Sequence, residues 1–507
     1  MTNKPIKSAL VSVFHKEGLA ELVHILVAQD VIFYSTGGTA SYLQGLGAKV
    51  IEVADLTGYP SILAGRVKTL HPKVHGGILA RRNEANDLAE LEKYEIPTID
   101  LVVVDLYPFE ETVASGADDE AIIEKIDIGG IALIRGAAKN FEHVVIVPSQ
   151  EYYQPLTEIL EAQQGETTLA QRRDFARAAF DVSSHYDGHI YNYFAQHTEI
   201  PSVKISHSQS QVLRYGENPH QKGVFYGDLS ALFEQLNGKE LSYNNLVDID
   251  GAIQLVNEFE EAFFAVIKHT NACGAATGNT IFEAWQKALA GDPVSAFGGV
   301  LACNRAIDAE TARAINEIFI EVLIAPEYSE EALSILKSKK NRILLRQKMP
   351  VSATKIVKNV LNGILIQDAN DKNAEVELFD IKTTRKPSEM EVKDIIFGDK
   401  IVKHLKSNAI CLVKNGQLIG SGCGQTSRID ALKQAVAKAH HYEFDTKGAV
   451  LASDAFFPFA DSVAYAHLYG IEVIVEPGGS VKDKETIDFC ENAGMCLVMT
   501  GLRHFKH

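Results

Sequence analysis

The sequence predicts an α/β protein in two parts, a mostly parallel sheet with helices on both faces followed by a mixed sheet. Three observations carry this. Apolar runs of strand length alternate with amphipathic helical stretches through the first 150 residues, a pattern that requires crossover connections and hence parallel strands. The polar, serine-rich stretch from Ile200 to Ser210 then marks a junction. Beyond it, Ala409 to Lys414 and Gln417 to Ile419 flank Asn415-Gly416, a dipeptide suited to a type I′ turn, so the second sheet holds antiparallel neighbours.

Taken in order, Ala9 to Phe14 reads as a buried strand and Gly18 to Gln29 as an amphipathic helix. Val31 to Tyr34 is the next strand and runs into Ser35-Thr36-Gly37-Gly38-Thr39 before another helical stretch. Val50 to Val53 continues the series, Ile99 to Leu106 is its strongest apolar run, and Val144 to Val147 closes it. Thr168 to Ala195 reads as a helix rich in aromatics. In the second part, Phe263 to Ile267, Val450 to Ser453 and Val473 to Val475 are apolar strand segments, whereas Glu327 to Lys348 is charged and helix-prone. No heptad array, low-complexity tract or short repeat is visible.

A chain of 507 residues, 46% hydrophobic and 23% charged, has core enough for about three domain-sized units. Its net charge of −17 argues against a nucleic-acid or anionic-membrane surface, so local cations must meet any anionic substrate. No apolar signal core opens the chain and no run reaches the length of a membrane span, which predicts a cytoplasmic protein. No two of the six cysteines are separated by only two residues, so close zinc or redox pairs are absent and no structural disulfide is expected. His197-Thr198-Glu199 and His441-Tyr442-Glu443 each fit half of a deaminase zinc site, but no Cys-x-x-Cys follows either. No metal site is expected.

Polar clusters sit where strands should end. Gly65-Arg66-Val67-Lys68-Thr69-Leu70-His71-Pro72 gathers two cations, a hydroxyl and an imidazole, and its Gly start and Pro end disfavour regular structure. The Ser35 to Thr39 stretch either offers N–H groups to a phosphate or merely permits a tight turn. Leu106-Tyr107-Pro108-Phe109 ends the strongest strand, and Asp127-Ile128-Gly129-Gly130 and Ala137-Ala138-Lys139-Asn140 follow it. Two lysines, a tyrosine and an aspartate around one nucleotide would suit charge stabilisation on a small electrophile. In Lys268-His269-Thr270-Asn271, lysine can stabilise an oxyanion while histidine takes a proton, as acyl transfer requires. A lone histidine there is more often a satisfied core residue. Arg214 beside Tyr215 suits a phosphate and a stacked base, and Ser453 to Phe459 reads as an aromatic wall.

Taken together, the strings STGGT, GRVKTLHP, DLYPF, IDIGG, AAKN, LRYGENPHQ, LSYNN, KHTNACG, SAFGG, GQTSRID, SDAFFPF and RHFKH resemble, in order, the bifunctional purine-biosynthesis enzymes that join AICAR transformylase to IMP cyclohydrolase. The resemblance implies a cyclohydrolase domain over 1–200 with a methylglyoxal-synthase-like fold. It implies a transformylase domain over 201–507 made of two cytidine-deaminase-like units lacking zinc. Formyl transfer from 10-formyltetrahydrofolate to AICAR would then precede dehydrative closure of formyl-AICAR to IMP.

By the same resemblance His269 is the transformylase base, Lys268 its partner at the formyl oxygen or folate nitrogen, and Asn408 orients the formyl group. Arg214, Tyr215, Arg428 and His507 hold the nucleotide, with Phe457, Pro458, Phe459 and Asp461 beside the folate. Lys68 and Lys139 stabilise charge in cyclisation while Tyr107 and Asp127 handle protons. Ser12, Lys16, Ser35, Gly37, Gly38, Thr39, Arg66 and Thr69 bind phosphate or ribose. The resemblance also implies a homodimer and leaves room for a monovalent cation without naming ligands. Phe14 and His15 depart from the family's usual Ser-Asp, as Ala272 does from Pro and Gly136 from Ala. The altered loop keeps open the alternative of a chain with only the transformylase active; a non-catalytic purine-nucleotide-binding protein that keeps the fold is a separate alternative.

Overall fold

A computed structural model describes residues 3–196, 202–351 and 354–507. The chain divides into two compact units, Met1–Ser208 and Gln209–His507. His197-Thr198-Glu199 lies outside the described residues, as do Ile200 and Pro201 of the junction stretch.

The first unit carries a five-stranded sheet in the order Lys49–Glu52, Ile32–Ser35, Ser8–Val13, Leu101–Asp105, Val145–Val147, with every pairing parallel. Its apolar runs become strands because both faces are covered. Leu101 to Val104 are at most 1% exposed, and burying each such side chain contributes roughly 1.5–3 kcal/mol. The chain starts at the centre of the sheet, winds to one edge, then crosses to the other side. Strand order therefore reverses between Ser8–Val13 and Leu101–Asp105, and a reversal in an open parallel sheet leaves a crevice at the carboxyl ends of the two strands. Helix Leu169–Phe194 opens with a capping box between Thr168 and Gln171 and buries Phe175, Ala176 and Ala179 in the core of this unit.

The second unit is built around one twelve-stranded sheet. Its order is Phe233–Asn237, Ile343–Gln347, Val322–Ala325, Val300–Cys303, Ala262–Lys268, Asn271–Gly278, Gln417–Gly422, Ile410–Lys414, Val450–Ser453, Val473–Glu476, Cys496–Met499, Asp380–Ile381. Read outward from the middle, the halves match. Each has a hairpin, a strand antiparallel to its outer arm, two further strands in parallel, and an antiparallel edge strand. Helices Tyr243–Val256 and Glu389–His404 precede the hairpins, and both begin with a serine capping box, at Ser242 and Ser388. One constant offset along the chain relates Asp248 to Asp394, Lys268 to Lys414 and His269 to Asn415. Both hairpins are irregular at the matching place, between Val266 and Ile267 and between Leu412 and Val413.

One segment departs from the sequence-based expectation. Only Glu330–Leu336 of the helix-prone stretch is helical, while Ile343–Gln347 is a strand with Ile343, Leu344 and Leu345 buried. Burial of three consecutive apolar residues between neighbouring strands outweighs the helical propensity of the charged residues around them. Among the described residues, no helix is long and apolar enough to cross a membrane.

Candidate functional sites

In the first unit, the crevice at the sheet reversal is bridged by His15. Asp105, ending one flanking strand, accepts from the His15 backbone N–H at 2.7 Å and lies 2.9 Å from its Nδ1. Phe14 stands edge-on to Tyr107 with ring centroids 5.6 Å apart. Lys125 Nζ lies 5.2 Å from the Phe14 ring and 5.7 Å from the Tyr107 ring. The sequence reading passed over Lys125, although it stands two residues before Asp127. A basic residue flanking a glycine-rich string was the available signal.

Burial raises the Asp127 carboxyl above its ordinary range, opposed by backbone N–H groups of Gly130 and Tyr107; the Gly130 bond is 2.6 Å. Burial, with the charges of Asp127 and Glu124, also raises the Tyr107 phenol. A carboxyl drawn toward neutrality beside a firmly protonated phenol can exchange protons with a substrate. The Asp127 N–H is held by the Tyr186 hydroxyl at 2.9 Å, which in turn donates to the Lys125 carbonyl at 2.7 Å.

The loop over residues 62–71 lies against this segment. Arg66 pairs with Glu124, and buried Thr69 sits on Gly129, where a Cβ would stand 3.1 Å from the threonine hydroxyl. Between them Lys68 folds over Gly65, which has φ +93° and no Cβ to obstruct the amine. His71 caps helix Pro72–Leu79, accepting from the Lys73 N–H at 3.1 Å.

Helix Gly37–Gly45 begins at the carboxyl end of strand Ile32–Ser35, with open space over Gly37 and Gly38. An anion can therefore approach the N–H groups of its first turn. Two expected hydroxyl contacts are redirected. Ser35 donates to the Val11 carbonyl at 2.7 Å and Thr39 to the Val13 carbonyl at 3.1 Å, both buried. These hydroxyls fasten the strand ends. Ser12 and Lys16 flank the end of strand Ser8–Val13. Lys139 does not join Tyr107 and Asp127. It is exposed at the far end of the 11-residue helix Gly129–Lys139, which Asp127 precedes, roughly 15 Å away along the axis.

In the second unit, Lys268 and His269 occupy the tip of the first hairpin. Lys268 Nζ donates to the Phe297 carbonyl at 2.6 Å, and the His269 side chain is exposed. Asn271 links this tip to the segment holding Asn408: its Nδ2 donates to the His269 carbonyl at 2.9 Å, and its Oδ1 accepts from the Lys406 N–H at 3.0 Å. The Asn408 amide is fixed at both ends, donating to the Gln425 carbonyl at 2.9 Å and accepting from Arg428 Nη2 at 2.8 Å. Arg428 is buried and paired with Asp454. The resemblance gave it to the nucleotide; its guanidinium donates to Asn408, and the residue also lines the adjoining cleft.

A cleft of about 460 Å³ opens beside them, lined by Asn408, Pro458, Phe459, Asp461 and Arg503 among others. Phe457, expected beside the folate, is instead fully buried in the core that also holds Ile474 and Leu497, and its N–H donates to Glu476 Oε2 at 2.7 Å. Burial pushes the Glu476 carboxyl up to about 8. The tail carrying His507 is brought alongside by reciprocal bonds between Ser407 and Lys506. Arg214 and Tyr215 meet each other, Nη2 donating to the phenol oxygen at 2.8 Å.

Comparison with known proteins follows the same division. A family model described as "AICARFT/IMPCHase bienzyme" matches residues 137–438, and one for an MGS-like domain matches residues 18–132. A protein named bifunctional purine biosynthesis protein PurH from Bacteroides thetaiotaomicron is 56% identical over 507 residues, 100% of this chain and 99% of that one. Proteins of the same name from Acetivibrio thermocellus and Rhodospirillum rubrum are 45% and 47% identical, each over 99% of this chain and 100% and 99% of their own.

Proposed function

Since the chain belongs to the AICARFT/IMPCHase bienzyme family, we propose that its two units divide two consecutive steps of purine biosynthesis. It is a bifunctional enzyme: it transfers a formyl group to AICAR and closes the product to IMP. The observation that carries this is identity of 56% running through both units without a gap in coverage.

Formyl transfer belongs to the second unit. The AICAR amine is delocalised into its ring and is a weak nucleophile. His269 takes the amine proton as nitrogen attacks the formyl carbon of 10-formyltetrahydrofolate, and Lys268 stabilises the tetrahedral oxyanion. The bond to the folate nitrogen then breaks and that nitrogen regains a proton. Asn408, clamped by Arg428 and Gln425, orients the formyl oxygen, with Phe459 and Asp461 beside the folate.

Closure belongs to the first unit. The carboxamide nitrogen attacks the new formyl carbon and water leaves. Both reacting groups lie on one molecule, so positioning supplies much of the acceleration. Lys68 stabilises the developing charge, and Tyr107 and Asp127 carry protons to the departing hydroxyl. Distance along the helix makes Lys139 the weaker cation, so Lys139→Ala slows closure less than Lys68→Ala. The phosphate rests on the first turn of helix Gly37–Gly45.

The domain division at 1–200 and 201–507 is supported by the two compact units. The two cytidine-deaminase-like units are supported by the matched halves of the twelve-stranded sheet. A cytoplasmic homodimer rests on the family likeness. Supplying synthetic formyl-AICAR without folate tests the first unit alone. IMP is the expected product, and its absence would remove the cyclohydrolase reading.

A further inference from the structure

One cluster in the first unit takes no part in the chemistry above. Helix Leu169–Phe194 carries His185 and His189 one turn apart, so both imidazoles leave the same face. Glu110, from helix Phe109–Ala114, reaches both: Oε1 lies 3.1 Å from His185 Nε2 and Oε2 lies 3.3 Å from His189 Nε2. The two imidazole centroids are 4.4 Å apart, and the three ligand atoms all lie within 4.8 Å of one another.

These separations fit a small ion. Ligands about 2.0–2.1 Å from a tetrahedral metal stand about 3.3 Å apart. Each imidazole nitrogen already lies about that far from one oxygen of Glu110, and modest rotation of the rings and the carboxylate brings one atom from each residue, now within 4.8 Å of one another, onto a shared ion. The outer nitrogen of His185 is engaged as well, with Nδ1 2.8 Å from Ser206 Oγ. A ligating imidazole is characteristically held this way, because the outer bond fixes the ring and leaves Nε2 for the metal. All three side chains are partly exposed, so solvent can deliver an ion and occupy a remaining position.

We propose that Glu110, His185 and His189 form a binding site for a divalent transition-metal ion. Two neutral imidazoles and a carboxylate are the donor set suited to zinc, and cobalt takes the same ligands. The absence of close cysteine pairs does not bear on this site, which uses no sulfur. A bound ion joins the segment following Tyr107 to the helix whose Tyr186 hydroxyl holds the Asp127 N–H. Phe109, buried between, already packs edge-on against Tyr186 and Tyr193 at 6.1 and 5.9 Å. The ion therefore reinforces a contact that the apolar side chains have begun.

The test uses untagged full-length protein, stripped with chelator and titrated with cobalt while its visible d–d absorption is followed. Zinc content after dialysis is measured in parallel. One ion per chain is expected, with a low-symmetry cobalt spectrum and a melting temperature raised by zinc. His189→Ala and Glu110→Gln should each weaken cobalt binding at least about tenfold, and Ser206→Ala by about 10-fold through the outer bond alone. Ser206→Ala removes only a surface hydroxyl, so it reports on the site even if the other variants fold poorly. His441→Ala, in the other unit, should bind as wild type does. Wild-type protein that takes up neither metal, or variants of Glu110, His189 and Ser206 that bind cobalt undiminished, would overturn the assignment.

Discussion

The two hairpins of the twelve-stranded sheet share one backbone and make opposite choices of residue. In each, two consecutive turn residues have positive φ: His269 and Thr270 at +51° and +64°, Asn415 and Gly416 at +53° and +67°. An aspartate from the preceding helix holds each turn. Asp248 accepts from the Thr270 N–H at 2.7 Å, and Asp394 from the Asn415 and Gly416 N–H groups at 2.8 and 2.7 Å. Asn-Gly is favoured in such a turn, whereas histidine and β-branched threonine are not, and each misplaced residue costs on the order of 1–3 kcal/mol. The disfavoured pair is found in the hairpin whose tip carries Lys268 and His269. The second half places its polar groups elsewhere. Helix Arg428–His441 starts on a buried arginine where Ile281–Gly291 starts on a buried isoleucine, and Val473–Glu476 ends on a buried glutamate where Val322–Ala325 ends on alanine. The two halves thus share one scaffold and place their strain and their buried charge at different points on it.

The sharpest way to break this comparison is to exchange chemistry between the tips. Lys268→Ala or His269→Ala should lower the rate of formyl transfer by about 10²–10⁴-fold, while Lys414→Ala leaves it near wild type; equal losses at both lysines would contradict the asymmetry. Next in size is the buried pair. Arg428→Met leaves Asp454 charged without its partner and should cost about 3–5 kcal/mol of stability in urea unfolding. At the matching helix start, Ile281→Val should cost only about 0.5–1.5 kcal/mol.

Glu476 gives a pH signature that the first half lacks. Burial raises its folded pKa to about 8, well above the ordinary carboxylate range, so folding favours the protonated form. That contribution is complete below the unfolded pKa and is lost as pH rises through the folded one. Stability of the second unit should fall by an amount on the order of a few kcal/mol across that window. Glu476→Gln should flatten the dependence, as denaturation midpoints on either side of the window would show. The smallest effects lie in the turns. Thr270→Gly should raise stability by about 1 kcal/mol, whereas Gly416→Thr should lower it, since a Cβ there would lie 2.4 Å from Thr277 Oγ1. Melting temperatures of the two variants moving in the same direction would show that the turns are not equivalent after all.

What could be foreseen follows from where the information lies. Strands such as Leu101–Asp105 and the Asn415-Gly416 hairpin were legible because local periodicity and turn chemistry agree with the final packing. Strand Ile343–Gln347 was not, since only its sheet neighbours make it one. The two-unit organisation of the second part came from the resemblance and not from any repeat in the residues, because the halves keep backbone and register while their side chains differ. The strings brought Lys68, Tyr107, Asp127, Lys268 and His269 forward as candidates, but a string cannot say which way a side chain turns. Hence Phe457, expected beside the folate, lies in the core, the Arg428 guanidinium also holds Asn408, and the Ser35 and Thr39 hydroxyls donate to the Val11 and Val13 carbonyls. Glu110 escaped notice because it meets His185 and His189 only after folding. The histidine pair, one helical turn apart, was the readable part of that signal.

The measurement that most directly tests the division of labour is mass spectrometry of the products formed from AICAR and 10-formyltetrahydrofolate by three proteins in parallel. Wild type should yield IMP, Lys68→Ala should accumulate formyl-AICAR, and Lys268→Ala should leave AICAR unreacted while still converting added formyl-AICAR to IMP. IMP formed from AICAR by Lys268→Ala at the wild-type rate would contradict the placement of formyl transfer at the strained hairpin.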